Sequence, residues 1–508
     1  MKNFKIFIFS LLFLGLFSCT KLDEKFRSDL SQNSATVAAG DLLTTAYQTL
    51  NGPFQTGDFW HIQQHTSDET IAPTRGPDWD DNGQWRALHA HTWNDNQSQI
   101  NGAFGGLLSA QFAASIVLQY NPSAQQAAEA RFIRALSVFT VLDGWDQVPV
   151  REDLNNYRID PKTIKGTAAA DYIISELNAV INNLPEGGSA YVANRDAARV
   201  LLMKTYLNKG VFANRAAPTF DAGNMNQAIT LADQIISSNR YSIATNQFFD
   251  HFAPNNNAIS KENIFTLQNI PAQSGGNVRG AVYQVSHYNM NPGGWNGFAT
   301  LSDFYDKFEA TDKRRGYNYT YPGALPNPGN RQNVGFLFGQ QYDLTTGAAL
   351  TDRKNNPLSF TREVKIKETG DNLEVTGIRV IKYPFDYATS ADQKSNDWVI
   401  FRYADVLLMK AEALLRTGKA AEALLIVNQI RTARSATALL TLNEQSLLDE
   451  RGRELYWEGW RRQDLIRFGK FLQPWQEKPT DNPRNLLFPI PANQLAVNPN
   501  LTQNPGYQ

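Results

Sequence analysis

One stretch constrains this chain more than any other: residues 401–434, FRYADVLLMKAEALLRTGKAAEALLIVNQIRTAR. Tyr403, Val406, Leu407, Ala411, Leu414 and Leu415 recur at three- and four-residue spacing, which gives a helix one apolar face. Gly418 stops that helix, because glycine adopts the left-handed conformation of a helix end without steric cost. A second helix restarts at Lys419 and turns Ala423, Leu424, Val427 and Ile430 inward. Two antiparallel helices in about 34 residues is the size of a tetratricopeptide unit. Ala411 and Ala423 stand where the two helices of such a unit must touch.

A second hairpin of the same make lies upstream. Residues 200–204 (VLLMK) repeat residues 406–410 letter for letter, and residues 226–236 (NQAITLADQII) echo 421–430, with Ala228 at the place of Ala423. Thr205 to Ala228 is 23 positions and Ala411 to Ala423 is 12, so the first copy carries a loop insertion. A five-residue identity of common residues can arise by chance; joined to a matching second helix, it points to a helical repeat. The fold class this predicts is mainly α: a tetratricopeptide-like scaffold with a large loop-rich insertion carrying a few short strands.

The N-terminus has a different logic. Lys2 and Lys5 precede an apolar run at residues 6–17, the length of a signal-peptide core and short for a membrane span. Leu16-Phe17-Ser18-Cys19 looks like a bacterial lipobox, although Phe17 is bulky for its position, and Cys19 is the only cysteine in 508 residues. The alternative is an ordinary signal peptide with an incidental cysteine. On the lipobox reading, residues 1–18 are the signal peptide, residues 19–40 the lipid anchor and tether, and several acyl chains together give a stable anchor. The mature chain keeps 490 residues (508 minus 18), and losing the two lysines takes its formal charge from −1 to −3. That balance argues against a nucleic-acid partner. No later segment reads as apolar enough to cross a membrane.

Three regions follow the tether. Residues 41–240 form an N-terminal helical part, with strong helices predicted at 127–142 and 172–184, an extended run at 148–150, and aperiodic loop at 61–100. Residues 241–397 are rich in Gly, Pro, Asn and aromatics, with short alternating runs at 364–367 and 377–383 that suggest strands. Long irregular segments on a rigid scaffold are usually functional. Residues 398–508 return to helix. Within 447–471 the charges are interleaved with Leu455, Trp457, Trp460, Leu465 and Ile466, so several of Arg453, Glu454, Glu458, Arg462 and Asp464 are expected to pair inside a packed helix end, with Arg462 as one member of a buried ion pair.

That C-terminal helix, followed by residues 487–491 (LFPIP) and 503–507 (QNPGY), closely resembles the signature of the SusD/RagB family. It follows the family's ER-x-REL…E-x-x-R…DL-x-R-x-G pattern, with Gly452 and Trp457 at tolerant positions. Residues 130–135 (ARFIRA) with 148–150, Ser67-Asp68-Glu69, and Arg402-Tyr403-Ala404-Asp405-Val406 match three further stretches of the family. The resemblance covers nearly the whole chain. It implies a lipoprotein of the outer membrane, exposed at the cell surface, that binds glycans or other nutrients and caps a SusC-like TonB-dependent transporter. It implies no enzymatic activity and no cofactor. Lys21-Leu22-Asp23-Glu24 resembles the surface-export signal of Bacteroidetes lipoproteins; the alternative is a solvated linker.

The residues themselves carry no Walker A loop, dinucleotide fingerprint, G-x-S-x-G or H-E-x-x-H. Four of six histidines (His61, His65, His89, His91) fall within 31 residues, but without helical spacing to align them they read as hydrogen-bonding loop residues, and no metal is expected. A glycosidase needs two carboxylates about 5 to 10 Å apart, and among 49 acids no pair stands out. Aromatics in polar company say more: Trp79 and Trp85 beside Arg75 and Asp78, and Tyr288 and Trp295 in the Asn/Gly/Pro-rich block. A flat indole stacks on the C–H face of a sugar ring while Arg, Asp and Asn bond its hydroxyls. The expected ligand residues are therefore Trp295, Trp79, Trp85, Tyr288, Arg75 and Asp78, with Cys19 lipidated. The alternative is that these tryptophans pin long loops to the scaffold. The rival functions are a protein-binding repeat adaptor without a small ligand, and a surface glycoside hydrolase.

Overall fold

Both hairpins are present as the spacing predicts in the computed structural model, which describes residues 38–508 apart from 152, 153, 155, 157, 272–277, 390–393 and 480. The longer helices before the loop-rich stretch are α1 (Ala39–Thr49), α2 (Asp58–His65), α3 (Gln84–His89), α4 (Ser98–Val117), α5 (Ala124–Trp145), α6 (Gly166–Val180), α7 (Arg195–Ala213) and α8 (Ala222–Ser237). After it come α9 (Tyr403–Arg416), α10 (Ala420–Ala433), α11 (Glu444–Leu455) and α12 (Arg461–Arg467). From α4 to α10 each helix packs on the next, α8 packing on α9 although residues 238–402 separate them, and α11 packs on α9 and α12. The helical stack is therefore continuous in space and interrupted only in sequence, a tetratricopeptide-like arrangement.

Local chemistry sets the helix ends. Ser123 and Gln126 close a capping box on α5, Asn194 and Asp221 accept backbone N–H groups at the starts of α7 and α8, and Asn443 caps α11. Gly418, at φ +80°, makes the tight turn between α9 and α10, whereas residues 214–221 form the longer loop of the first copy. Thr205, Ala228, Ala411 and Ala423 are fully buried where the hairpin helices meet.

Ten short strands accompany the helices among the described residues. β1 (Thr74–Arg75) pairs in parallel with β8 (Lys367–Glu368), and the antiparallel pairs are β2 (Gln147–Val150) with β3 (Lys162–Lys165), β4 (Asn263–Leu267) with β10 (Trp398–Arg402), β5 (Gly335–Leu337) with β9 (Arg379–Ile381), and β6 (Gly339–Gln340) with β7 (Ser359–Phe360). The β4–β10 pair matters most, with Leu267 opposite Trp398 and Asn263 opposite Arg402. Through it the loop-rich stretch leaves the scaffold and returns to it. Ala39–Gln508 forms a single unit.

The structure corrects four sequence expectations. Residues 61–100 are not aperiodic loop, since they contain the end of α2 and all of α3; both helices are short, and α2 is buried on nearly every side, which erases the alternation that marks an amphipathic helix. Ser98–Val117 is long and apolar enough by composition to cross a membrane, contrary to the reading that no segment is. Here it is a core helix packed on α1 and α5, and Gly102 admits Asp58, whose Oδ2 would lie 1.8 Å from any added Cβ. Residues 447–471 are two helices rather than one, broken where Trp457 and Gly459 take positive φ.

The fourth correction concerns Arg462. Glu454 pairs with Arg314, Arg402 and Arg434, Glu458 with Arg402 and Lys382, Asp464 with Arg451 and Arg467, and Arg453 with Glu450, as expected of a packed ionic junction. Among the described residues Arg462 has no carboxylate at ion-pair distance. Its guanidinium lies 4.2 Å above the Phe488 ring and donates to the Leu486 carbonyl at 3.0 Å. Burial, only partly opposed by the Asp143 charge, lowers its pKa to about 10.

Candidate functional site

Three loops converge on one side of the insertion, and Arg75 ties them together. Held in β1, its buried guanidinium donates to the carbonyls of Asn296 (2.6 Å), Gly297 (2.7 Å) and Thr376 (2.7 Å). Burial lowers its pKa to about 10, with Glu368, Tyr288 and Asp78 opposing the shift. Trp79, at φ +61°, lies half-buried on Phe298 at 5.0 Å and donates its indole N–H to the Trp295 carbonyl at 2.8 Å. Gly297 is what allows this approach, because a Cβ there would sit 2.2 Å from the Trp79 ring. Trp85 is only 7% exposed; it donates to Asp81 at 2.8 Å and packs against His61, His65 and Phe298.

Beside these loops lies a cavity of about 330 Å³ lined by Arg75, Asp78, Asn296, Asp352, Arg353 and Glu374, among others. Tyr288 donates its hydroxyl to Asp78 at 3.0 Å, and Arg353 stacks 3.9 Å over the Tyr288 ring. The Arg353 guanidinium also reaches Glu374 at 2.7 Å and Asp78 at 3.3 Å, and His287 Nε2 lies 2.9 Å from Glu374. Burial and the Asp78 carboxylate push the Tyr288 phenol up to about 12, so it stays a donor. Burial works against an ionised Glu374, but hydrogen bonds from Arg353 and His287 outweigh it and hold the carboxyl below its usual range. Trp295 adjoins the cavity-lining Asn296 and keeps 46% of its surface exposed, its ring 5.9 Å from that of Tyr283.

The fold thus divides the six expected ligand residues. Arg75 and Trp85 are buried: Arg75 lines the cavity but spends its donors on backbone carbonyls and the Thr376 hydroxyl, and Trp85 packs among His61, His65 and Phe298. Trp79 is half-buried and joins the two groups. Asp78, Tyr288 and Trp295 reach solvent around the cavity. Arg353, Glu374 and His287 were not singled out from sequence, because nothing in their spacing distinguishes them from other charges of the insertion. Cys19 lies outside the described residues, as do the signal peptide and the acidic tetrad.

None of the four clustered histidines lines this cavity, and His65, contrary to the hydrogen-bonding expectation, makes no side-chain hydrogen bond among the described residues. His61 and His65 do share α2, with ring centroids 6.1 Å apart, contrary to the loop expectation. His65 is fully buried among aromatic rings, and burial lowers its pKa well below the usual value. His89 bridges the carbonyls of Thr70 and Gln476, and His91 bridges Asp481 and the Thr66 carbonyl. Among the described residues no group of three or more His, Cys, Asp and Glu is arranged to hold a metal. What the cavity offers chemically is a set of ionised and hydroxylic hydrogen-bonding groups fixed by stacking and ion pairing, next in the chain to the partly exposed Trp295.

Comparison with known proteins bears on this geometry. The SusD family model matches residues 230–507. The starch-binding protein SusD of Bacteroides thetaiotaomicron is 27% identical over 427 residues, covering 76% of this chain and 73% of that protein. Among solved structures, a SusD superfamily protein from Parabacteroides distasonis superposes with a TM-score of 0.71 at 19% identity, over 92% of this chain and 98% of the other. Surface glycan-binding protein A from Bacteroides thetaiotaomicron, solved with laminarihexaose, superposes with a TM-score of 0.68 at 17% identity, over 92% and 98%.

Proposed function

The chain belongs to the SusD family, and from that premise we propose that it is a surface lipoprotein that binds glycans and hands them to a SusC-like TonB-dependent transporter of the outer membrane. The observation that carries the ligand half of this reading is a cavity of hydrogen-bonding side chains whose wall at Asn296 is preceded in the chain by the 46% exposed Trp295. A sugar stacks its axial C–H face on the indole, and its hydroxyls meet Asp78, Tyr288, Arg353 and Glu374. Trp79 fixes the Trp295 backbone from below, so the platform is held before the ligand arrives, which lowers the ordering cost of binding. The relatives named for starch and glycan binding support the same ligand class.

The membrane half rests on Cys19 after an apolar leader and on the family. Acylation of Cys19 anchors the chain, and Lys21-Leu22-Asp23-Glu24 directs it to the outer face. Calorimetry with a panel of oligosaccharides, run on the wild type and on Trp295→Ala alongside thermal melts, tests the ligand reading. The variant is expected to lose binding and keep its melting temperature; unaltered binding would remove Trp295 from the site. Metabolic labelling with a fatty acid tests the anchor, since Cys19→Ala must lose the label, and copurification of a TonB-dependent transporter from detergent-solubilised membranes tests the partner.

A further inference from the structure

The loop at residues 288–295 has a second face. Tyr288 serves the cavity described above, whereas Met290 and Asn291 line a separate groove of about 320 Å³ with Arg331, Gln332, Phe338 and Tyr342 among its walls. The two cavities differ in charge. The first contains both signs, paired with one another. The second is lined by no Asp, Glu or Lys, and Arg331 is its one cation.

Arg331 is placed in a telling way. Its guanidinium lies flat, 3.3 Å from the centre of the Tyr342 ring. Among the described residues no oxygen accepts from it, although its Nε is buried. Stacking spends the face of a guanidinium and leaves its edge, with a fork of N–H donors, for an acceptor outside the protein. The acceptor that matches a charged fork is a carboxylate or sulfate, whose paired oxygens take charge-assisted bonds that are stronger than those to a neutral hydroxyl.

The rest of the groove has the features of a saccharide subsite. Phe338 is 49% exposed and presents an apolar ring. Gln332, Gln340 and Gln341 spend their side-chain N–H groups on backbone carbonyls of Phe336, Leu350 and Gly339. Their side-chain oxygens take no hydrogen bond from the described protein, so each remains an acceptor for a hydroxyl.

We propose that this groove is a second subsite, selective for an acidic sugar whose carboxylate or sulfate meets Arg331 while its ring packs on Phe338. The inference rests on the glycan-binding reading and adds a ligand class to it. The test titrates purified full-length protein with a tetragalacturonide, a sulfated galactan tetrasaccharide and a neutral galactan tetrasaccharide. At least one acidic probe is expected to bind more tightly than the neutral one, and which of them does so identifies the anion. Arg331→Gln should weaken that binding by roughly tenfold or more, the loss of one charge-assisted contact. The same change should leave the melting temperature and the neutral affinity unaltered, and Phe338→Ala should weaken the acidic probe as well. Neutral binding that depends on Trp295, with no preference for either acidic probe or with an Arg331→Gln variant that binds the acidic probe as the wild type does, would overturn this inference and leave the parent reading standing. No saccharide binding by any probe would overturn both.

Discussion

The ionic junction under α11 and the cavity beside Trp295 are built from the same residue types, yet they do opposite work. In the junction, Glu454 accepts from Arg314, Arg402 and Arg434, and all four side chains are sealed from water. In the cavity, Asp78, Tyr288 and Arg353 make comparable contacts, but Arg353 and Asp78 stay open to solvent. Exposure, not composition, separates the two. A charge whose hydrogen bonds are all met inside the protein serves the fold, and breaking its set leaves partners stranded in a low dielectric. A charge met on one side and open on the other retains capacity for a ligand.

The contrast is broken most forcefully at Glu454. Glu454→Ala leaves three buried guanidinium groups short of an acceptor, and a loss of about 3–5 kcal/mol is expected, read by chemical denaturation. The same junction makes the protein sensitive to acid. Burial alone would raise the Glu450 carboxyl, but Arg314, Arg453 and Arg431 pull it from 4.5 to about 2. A depressed carboxylate contributes stability that is full above its unfolded pKa and is lost as pH falls through the folded one, here between about 4.5 and 2. Melts across that interval should show the decline, and Glu450→Gln should flatten it.

A smaller effect is expected at Trp85. Trp85→Ala should cost about 3 kcal/mol, as other buried large aromatics do, and a melt that stayed at the wild-type midpoint would return Trp85 to the candidate ligand face. The identical VLLMK strings give a finer comparison. Lys204 is buried, pairs with Asp405 at 2.7 Å and lies 3.7 Å over Trp460, whereas Lys410 meets the exposed Asp233. Lys204→Ala should destabilise clearly, while Lys410→Ala should change stability by no more than about 1 kcal/mol. Smallest in stability is Trp295→Ala, where the melting temperature should hold and only glycan binding should fall.

How much of this was legible follows from the same distinction. Periodicity exposed both hairpins, because a helix that buries one stripe must repeat its apolar residues, and the caps at Asn194 and Asp221 stand where the pattern starts. It missed α2, whose residues are buried on almost every side, and the break at Trp457–Gly459, which depends on backbone angles rather than residue type. At the site, sequence pointed to two stretches that the fold brings into contact but could not rank their tryptophans by burial, since Trp79 and Trp85 share the same polar neighbourhood. The Arg331 groove left a faint trace: residues 329–342 are dense in amides, with Arg331 and three aromatic side chains among them and no acid until Asp343. Nothing in the string says that Arg331 finds Tyr342 rather than a carboxylate.

The pairing of β4 with β10 turns residues 268–397 into an exchangeable cassette. Its two ends are pinned side by side at Leu267 and Trp398 whatever length of chain lies between them. Closing a longer loop costs little once its ends are fixed, about 0.6 kcal/mol for each doubling. Ligand preference can therefore be rewritten inside this segment while the helical stack, with most of its arginine clamps, stays as it is. One condition travels with every graft. Arg75 reaches in from outside the cassette and needs carbonyl oxygens where Asn296, Gly297 and Thr376 now present them, so a donor cassette that lacks them would strand a buried cation in the host.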